Sequence, residues 1–302
     1  MATQQIAMIG LGKMGFNLAL NLKRNGLVEV FAFDTNQELR NEIAKQKITT
    51  ANSLKGICNQ FSAQKIIWLM VPSGETVDNV IKELLPYLQK DDIIIDGGNS
   101  FYKDSVRRYD YLKEKKINFL DCGTSGGQEG ALNGACTMIG GDKNIYESIQ
   151  NVFDKISVEN GSLYVGKSGS GHFVKMIHNG IEYGMMQSIA EGFEVLQRSD
   201  YDVDLEKVAS LFNHGSIIRS WLMELTQNAF SKDANLDSIK GVMHSSGEGK
   251  WTMETALELG IPTPVIALSV MMRYRSQTED TFSGKIVAAL RNEFGGHAVE
   301  KK

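Results

Sequence analysis

The sequence predicts an α/β protein, with a doubly wound, mostly parallel sheet over residues 1–168 and an all-α domain over residues 169–302. Three observations predict it. Short β-branched runs alternate with helical stretches through the first half, the rhythm of βαβ units. After the glycine cluster at 166–171 that rhythm gives way to long helical periods. The 302 residues also exceed the usual size of one compact domain.

In chain order, a strand is expected at 5–9, a helix at 16–24 and a second strand at 28–33. Further buried strands are expected at 65–71, 93–95, 118–120, 135–139 and 162–165. Six or more strands joined by crossovers form a twisted, mostly parallel sheet. The helical periods of the second half run over 173–198, 205–212 and 265–274. The four prolines, Pro72, Pro86, Pro262 and Pro264, stand at element ends, where a missing N–H costs least.

A hydrophobic fraction of 42%, a charged fraction of 23% and 30 Gly with 4 Pro exclude disordered and collagenous chains. The net charge of −4 and the lack of any block of five like charges offer a nucleic-acid backbone nothing to hold. An anionic substrate therefore needs a local basic pocket. No apolar run approaches the roughly eighteen residues of a membrane span. The segment MATQQIAMIG lacks the basic region of a signal peptide, so the chain is expected in the cytoplasm. Cys58, Cys122 and Cys136 are odd in number and fit no metal-ligand spacing; they read as free thiols, and no metal is expected.

The segment Gly10-Leu11-Gly12-Lys13-Met14-Gly15 follows the first strand and opens a helix, the context in which G-x-G-x-x-G binds a dinucleotide. Gly10 permits the tight turn, Gly12 lets a pyrophosphate approach the backbone, and Gly15 lets the helix pack close to the sheet. The orphan N–H groups at the helix start bind the diphosphate. Nineteen residues after Gly15, Asp34 ends the second strand. A carboxylate there accepts both ribose hydroxyls of NAD and repels a 2′-phosphate, so NAD is favoured over NADP. Val71-Pro72-Ser73 and Asp96-Gly97-Gly98-Asn99 each end a strand, where open α/β sheets place their ligands. The first domain is thus of the Rossmann type.

Lys175, His178, Asn179, Glu182 and Tyr183 fall at offsets 0, 3, 4, 7 and 8, so one helix face carries all five. The Lys and Glu backbones are about 10 Å apart, room for a sugar acid between two long side chains. Lys and Glu at this spacing can also form a solvated stripe, but the opposite face is apolar, with Phe173, Val174, Ile177 and Ile181. The entry Gly169-Ser170-Gly171 suggests close backbone approach, and Gly180 and Gly184 beside charged residues suggest a ligand. Thr124-Ser125-Gly126-Gly127 follows the strand at 118–120, and its N–H groups and hydroxyl suit a carboxylate. Near the C-terminus, Arg291 and His297 lie in a tail whose glycines stop a helix.

These residues together resemble the 6-phosphogluconate dehydrogenase family, the decarboxylating enzymes of the pentose phosphate route. The resemblance rests on GLGKMG at 10–15, DGGNS at 96–100, TSGGQEGA at 124–131, GSGHFVKMIHNGIEYG at 169–184, GEGKWT at 247–252 and FGGH at 294–297. The wider β-hydroxyacid dehydrogenases, including enzymes of 3-hydroxyisobutyrate, share the glycine turn, the Ser-Gly-Gly loop and a lysine, but not the His178, Glu182, Tyr183 combination. A non-decarboxylating dehydrogenase of that kind and a non-catalytic NAD-binding protein are the alternative readings. The length matches the family's short form, often NAD-preferring.

The resemblance implies that Lys175 is the general base for the C3 hydroxyl and then protonates the carbonyl as carbon dioxide leaves. Glu182 is implied as the acid that protonates the enediol. Asn99, Ser125, Gly126, Gly127, His178 and Asn179 are implied to hold the carboxylate and hydroxyls, and Tyr183, Arg273 and Arg291 the phosphate. In the family the tail arginine and histidine come from a neighbouring subunit, so Arg291 and His297 imply a homo-oligomer. The base must be neutral to work, and a free lysine has a pKa near 10.4; burial, His178 and the oxidised nicotinamide are candidates to lower it. One segment departs from the family. Where longer members have a phosphate-binding lysine and threonine, this chain has Ser246 and Glu248. Arg275, Lys250 or Arg291 compensates, or phosphate binds more weakly, or the substrate is an unphosphorylated aldonate.

Overall fold

The computed structural model describes residues 4–26 and 28–301; Met1–Thr3, Leu27 and Lys302 lie outside the described residues. The chain divides into two compact units, Met1–His178 and Asn179–Lys302.

The first unit alternates strands and helices: β1 (Gln4–Ile9), α1 (Lys13–Arg24), β2 (Val28–Phe33), α2 (Gln37–Lys45), β3 (Thr49–Thr50), α3 (Leu54–Cys58), β4 (Ile66–Leu69), α4 (Glu75–Leu84), β5 (Ile93–Asp96) and α5 (Tyr102–Glu114). It continues through β6 (Asn118–Ser125), α6 (Gly127–Asn133), β7 (Ala135–Gly141), α7 (Lys143–Ile156) and β8 (Ser157–Gly166). The strands form one sheet in the order β3-β2-β1-β4-β5-β6-β7-β8. Among the described residues, only the β6–β7 pairing is antiparallel. The expected α/β class and helical second half are both present.

The central strands β1, β4 and β5 are largely apolar and buried because helices cover both faces of the sheet there. Ile6 and Met8 enter one core with Leu18, Trp68, Ile95 and Phe153; Ala7 and Ile9 enter the other with Ile67, Ile94, Leu112 and Phe119. That alternation is the period of two of a strand buried on both sides. Three features differ from expectation. β6 runs on through Thr124 and Ser125, because its antiparallel partner β7 pairs with it as far as Ser125↔Cys136. β8 begins at Ser157, and the two-residue β3 is additional.

The helix α8 (Ser170–Gln197) starts in the first unit and continues into the second. The second unit adds α9 (Leu205–Asn213), α10 (Trp221–Phe230), α11 (Glu248–Glu258), α12 (Pro264–Ser276) and α13 (Phe282–Gly295). Side-chain caps mark three of the starts: Asp204 accepts from Lys207 N, Ser220 from Met223 N and Thr281 from Gly284 N. Pro264 opens α12, the helical position where it loses nothing. A small core of Phe193, Ala209, Met223 and Phe230 holds α8, α9 and α10 together. No helix among the described residues is long and apolar enough to cross a membrane.

Candidate active site

The strand order reverses at β1, with β2 on one side and β4 on the other, which opens a crevice at the carboxyl ends of these strands. The glycine turn lies there. Gly10 takes φ +96° and donates to Phe33 O at 2.8 Å; a Cβ on it would lie 2.4 Å from Met70 O. A Cβ on Gly15 would lie 2.0 Å from Gly10 O, so no side chain fits under α1. Gly12 is different: nothing lies within 4 Å of its Cβ position, and it is exposed beside Lys13. With no side-chain cap and no acid in its first turn, the start of α1 presents open N–H groups to an anion. The Asp34 carboxylate, just past β2, accepts from Leu11 N and Asn36 N, both at 2.7 Å. Arg40 donates to Asp34 O at 2.7 Å.

The loops after β4 and β5 stand on the other side of β1. Pro72 and Ser73 are exposed, and Asn99 is exposed between buried Gly98 and Ser100. A Cβ on Gly97 would meet Trp68 Nε1 at 2.1 Å, and one on Gly98 would meet Val71 O at 2.9 Å, so the two loops are tightly packed. Beneath them, buried Asp96 accepts from Ser100 Oγ at 2.8 Å and from Arg108 Nη1 at 3.2 Å.

Asp121, buried on β6, accepts from Gly169 N at 2.7 Å and His172 N at 2.9 Å, and so caps α8. A Cβ on Gly123 would lie 2.4 Å from Lys175 Cβ, and one on Gly140 would lie 2.7 Å from Gly171 N. These bare positions let α8 lie directly on β6 and β7. Buried His172 meets Ser105 Oγ at 2.7 Å through Nδ1. Ser125 Oγ at the end of β6 meets His178 Nε2 at 3.2 Å, which joins two predicted site residues.

The burial of α8 reverses the usual order. Lys175 is only 7% exposed and Asn179 and Tyr183 are also buried, while Val174 and Ile181, from the face read as apolar, are exposed, Ile181 at 53%. His178 and Glu182 are half-buried.

In the second unit, the Arg273 guanidinium stacks 3.7 Å from the Tyr183 ring centroid and donates to His244 O at 2.7 Å. A Cβ on Gly249 would lie 2.6 Å from the same ring, and Ser246 N donates to Tyr183 Oη at 3.4 Å. Glu248 is buried; Oε2 accepts from Ser246 Oγ at 2.6 Å, and Oε1 has no hydrogen-bond partner among the described residues. Of the candidates to replace a lost cation, Lys250 pairs with Glu254 at 3.5 Å on the surface and Arg275 donates to Thr278 O. Arg291 lies inside α13 rather than in a loose tail, because the helix continues to Gly295 and stops where Gly296 turns left-handed. Both Arg291 and His297 are exposed.

Sequence reading passed over Asp121, Arg108 and His172. Asp121 carried a signal, an acid inside the apolar Leu120-Asp121-Cys122, whereas Arg108 stands among other charges and His172 after a glycine-rich entry, and the partners of all three lie 12 to 67 residues away. Burial pushes the Cys122 thiol up to about 12 and Cys58 up to about 11, so both stay protonated at neutral pH. Among the described residues, no group of three or more His, Cys, Asp or Glu side chains could hold a metal ion.

Two family models match the chain: the NAD binding domain of 6-phosphogluconate dehydrogenase over residues 5–166, and the 6-phosphogluconate dehydrogenase C-terminal domain over residues 171–291. The Bacillus subtilis (strain 168) protein YqeC is 58% identical over 299 residues, covering 99% of this chain and 100% of its own. A 6-phosphogluconate dehydrogenase of Haloferax volcanii, named as NAD(+)-dependent and decarboxylating, is 40% identical over 300 residues, with 99% of each chain covered. The solved 6-phosphogluconate dehydrogenase of Plasmodium falciparum superimposes with a TM-score of 0.83 at 31% identity; the match covers 100% of this chain and 66% of that longer one. The chain belongs to the 6-phosphogluconate dehydrogenase family.

Proposed function

We propose that the chain oxidises and decarboxylates 6-phosphogluconate to ribulose 5-phosphate and carbon dioxide, with NAD as the acceptor, in the cytoplasm. The observation that carries the reading is the face of α8: a buried lysine and, seven residues on, a half-buried glutamate, on a helix seated by Asp121 and Gly123.

The open position at Gly12 and the uncapped start of α1 fit a dinucleotide diphosphate. Asp34 fits the ribose hydroxyls of NAD, and its charge opposes the 2′-phosphate of NADP. Leu11 and Met14 line the turn, Lys13 stands exposed on it, and Val71, Pro72, Ser73 and Asn99 follow on the far side of β1. The nicotinamide, when bound, accepts the hydride from C3.

Lys175 takes the C3 hydroxyl proton as that hydride leaves, which makes a β-keto acid. The C1–C2 bond then breaks, carbon dioxide departs, and the electron pair forms the C2–C3 enediol while Lys175 returns its proton to the C3 oxygen. Glu182 protonates the former C2, now C1 of ribulose 5-phosphate. Ser125, held by His178, binds the carboxylate with Gly126 and Gly127. Asn99, His178 and Asn179 orient the hydroxyls, and Tyr183, Arg273 and Arg291 receive the phosphate.

The reading includes a homo-oligomer in which Arg291 and His297 complete a neighbour's site. Supporting it, α13 has no buried residue and displays Phe282, Ile286, Leu290 and Phe294 along one stripe.

A second reading is favoured by one observation: the buried Glu248 carboxylate beside Ser246 and Tyr183 opposes a phosphate dianion, which suits an unphosphorylated aldonate. Steady-state assays with 6-phosphogluconate and gluconate, each with NAD and NADP, test both. The first reading expects NADH and carbon dioxide in equal amounts from the phosphorylated acid. NADH without gas overturns decarboxylation, and turnover of gluconate alone overturns the substrate.

A further inference from the structure

We propose that Arg108 is a positioning residue that sets the nicotinamide half of the cofactor crevice by tying together the two loops that line it. The proposal rests on the cofactor reading above. Arg108 lies on α5, away from the glycine turn in sequence, and is 2% exposed.

Its planar fork is shared among three acceptors. Nε donates to Asp78 Oδ1 on α4 at 2.8 Å, Nη1 to Asp96 Oδ2 at 3.2 Å, and Nη2 to Gly74 O at 2.9 Å. Gly74 closes the loop that begins at Val71, and Asp96 begins the loop that carries Asn99. One guanidinium therefore holds the far end of one loop and the near end of the next. Asp96 passes the constraint on, since it also accepts from Ser100 Oγ at 2.8 Å and Gly98 N at 3.3 Å. The two loops meet where the Cβ position of Gly98 comes within 2.9 Å of Val71 O. Arg107 braces the same acid from outside, at 2.9 Å from Asp78 Oδ2. Burial pushes the Asp78 carboxyl up, but the hydrogen bonds from Arg108 and Arg107 outweigh it and hold it below the ordinary carboxylate range.

Topology determines which part of a dinucleotide these loops face. β2 and Asp34 lie on one side of β1, and β4 and β5 lie on the other. A dinucleotide whose diphosphate sits at the β1 turn, with its adenosine ribose at Asp34, extends its nicotinamide riboside over the loops of β4 and β5. Arg108 thus acts on one half of the cofactor. A lysine keeps the charge but has a single nitrogen on a flexible stem and cannot hold three acceptors in one plane.

Dissociation constants of NADH and of ADP-ribose, which lacks the nicotinamide, are measured for the parent, Arg108→Lys and Asp78→Asn in the full chain. Arg108→Lys is expected to weaken NADH by about tenfold or more, the scale of one lost charge-assisted hydrogen bond, and ADP-ribose by about twofold or less. Asp78→Asn, which leaves the Asp96 contact in place, is expected to shift NADH in the same direction by a smaller factor, and it carries the comparison if Arg108→Lys does not fold. A general loss of stability weakens both probes alike. Equal weakening of the two probes, or no change in either, overturns the proposal. A parent that binds neither probe overturns the cofactor reading instead.

Discussion

Lys175 and Glu182 were legible because helical spacing alone puts them on one face, whatever that face packs against. The direction of that face was not legible. The apolar residues Val174 and Ile181 are exposed while Lys175 is buried, because Gly123, Gly140 and Gly171 let the first turns of α8 lie on the sheet. Asp121 and Arg108 stayed hidden for a related reason: a buried charge has meaning only once its partner, distant in sequence, is known. Glu248 is the residue whose chemistry is most open to test. If Tyr183 receives the phosphate as proposed, the buried Glu248 carboxylate next to Ser246 raises the cost of a dianion there, so Glu248→Gln is expected to raise kcat/KM for 6-phosphogluconate by about threefold to tenfold while leaving gluconate unchanged. Steady-state kinetics with both acids checks this, and parallel changes for the two would remove Glu248 from substrate selection.

At the scale of elements, the glycine turn separates folding from binding within six residues. Gly12 has a φ of −61° and open space at its Cβ position, so Gly12→Ala is expected to melt like the parent yet bind NADH at least about tenfold more weakly. Gly15→Ala would set a methyl 2.0 Å from Gly10 O and is expected to lose about 1–3 kcal/mol of stability. Thermal melts beside NADH titrations distinguish the two, and the reverse pattern would contradict the turn's assignment. The strands of the first unit were readable from continuous apolar runs. β3 was not, since two threonines carry no period, and the extension of β6 was not, since it depends on the antiparallel partner β7. Pairing direction is set by which helix or turn intervenes in space, and the short α6 between β6 and β7 permits a return without a crossover.

Across the whole molecule, the change from alternating elements to long helices was legible from the sequence after the glycine cluster at 166–171, and α8 runs across the division at His178 without a break. α13 is the element the single chain leaves least satisfied. Phe294 is 78% exposed at the end of a stripe that begins at Phe282, and such a surface is ordinarily covered. Sedimentation is expected to give an oligomer at about micromolar concentration, with Leu290→Asp shifting it toward the monomer. A monomeric parent would contradict the shared site assigned to Arg291 and His297.

The chemistry assigned to α8 meets its most direct test in 6-phosphogluconate labelled at C1, with labelled carbon dioxide and NADH counted for the parent and for Lys175→Met. The expected result is one labelled carbon dioxide per NADH in the parent, with both falling about a hundredfold or more in the variant while NADH still binds. NADH formed without labelled gas, or a variant as fast as its parent, would contradict the assignment.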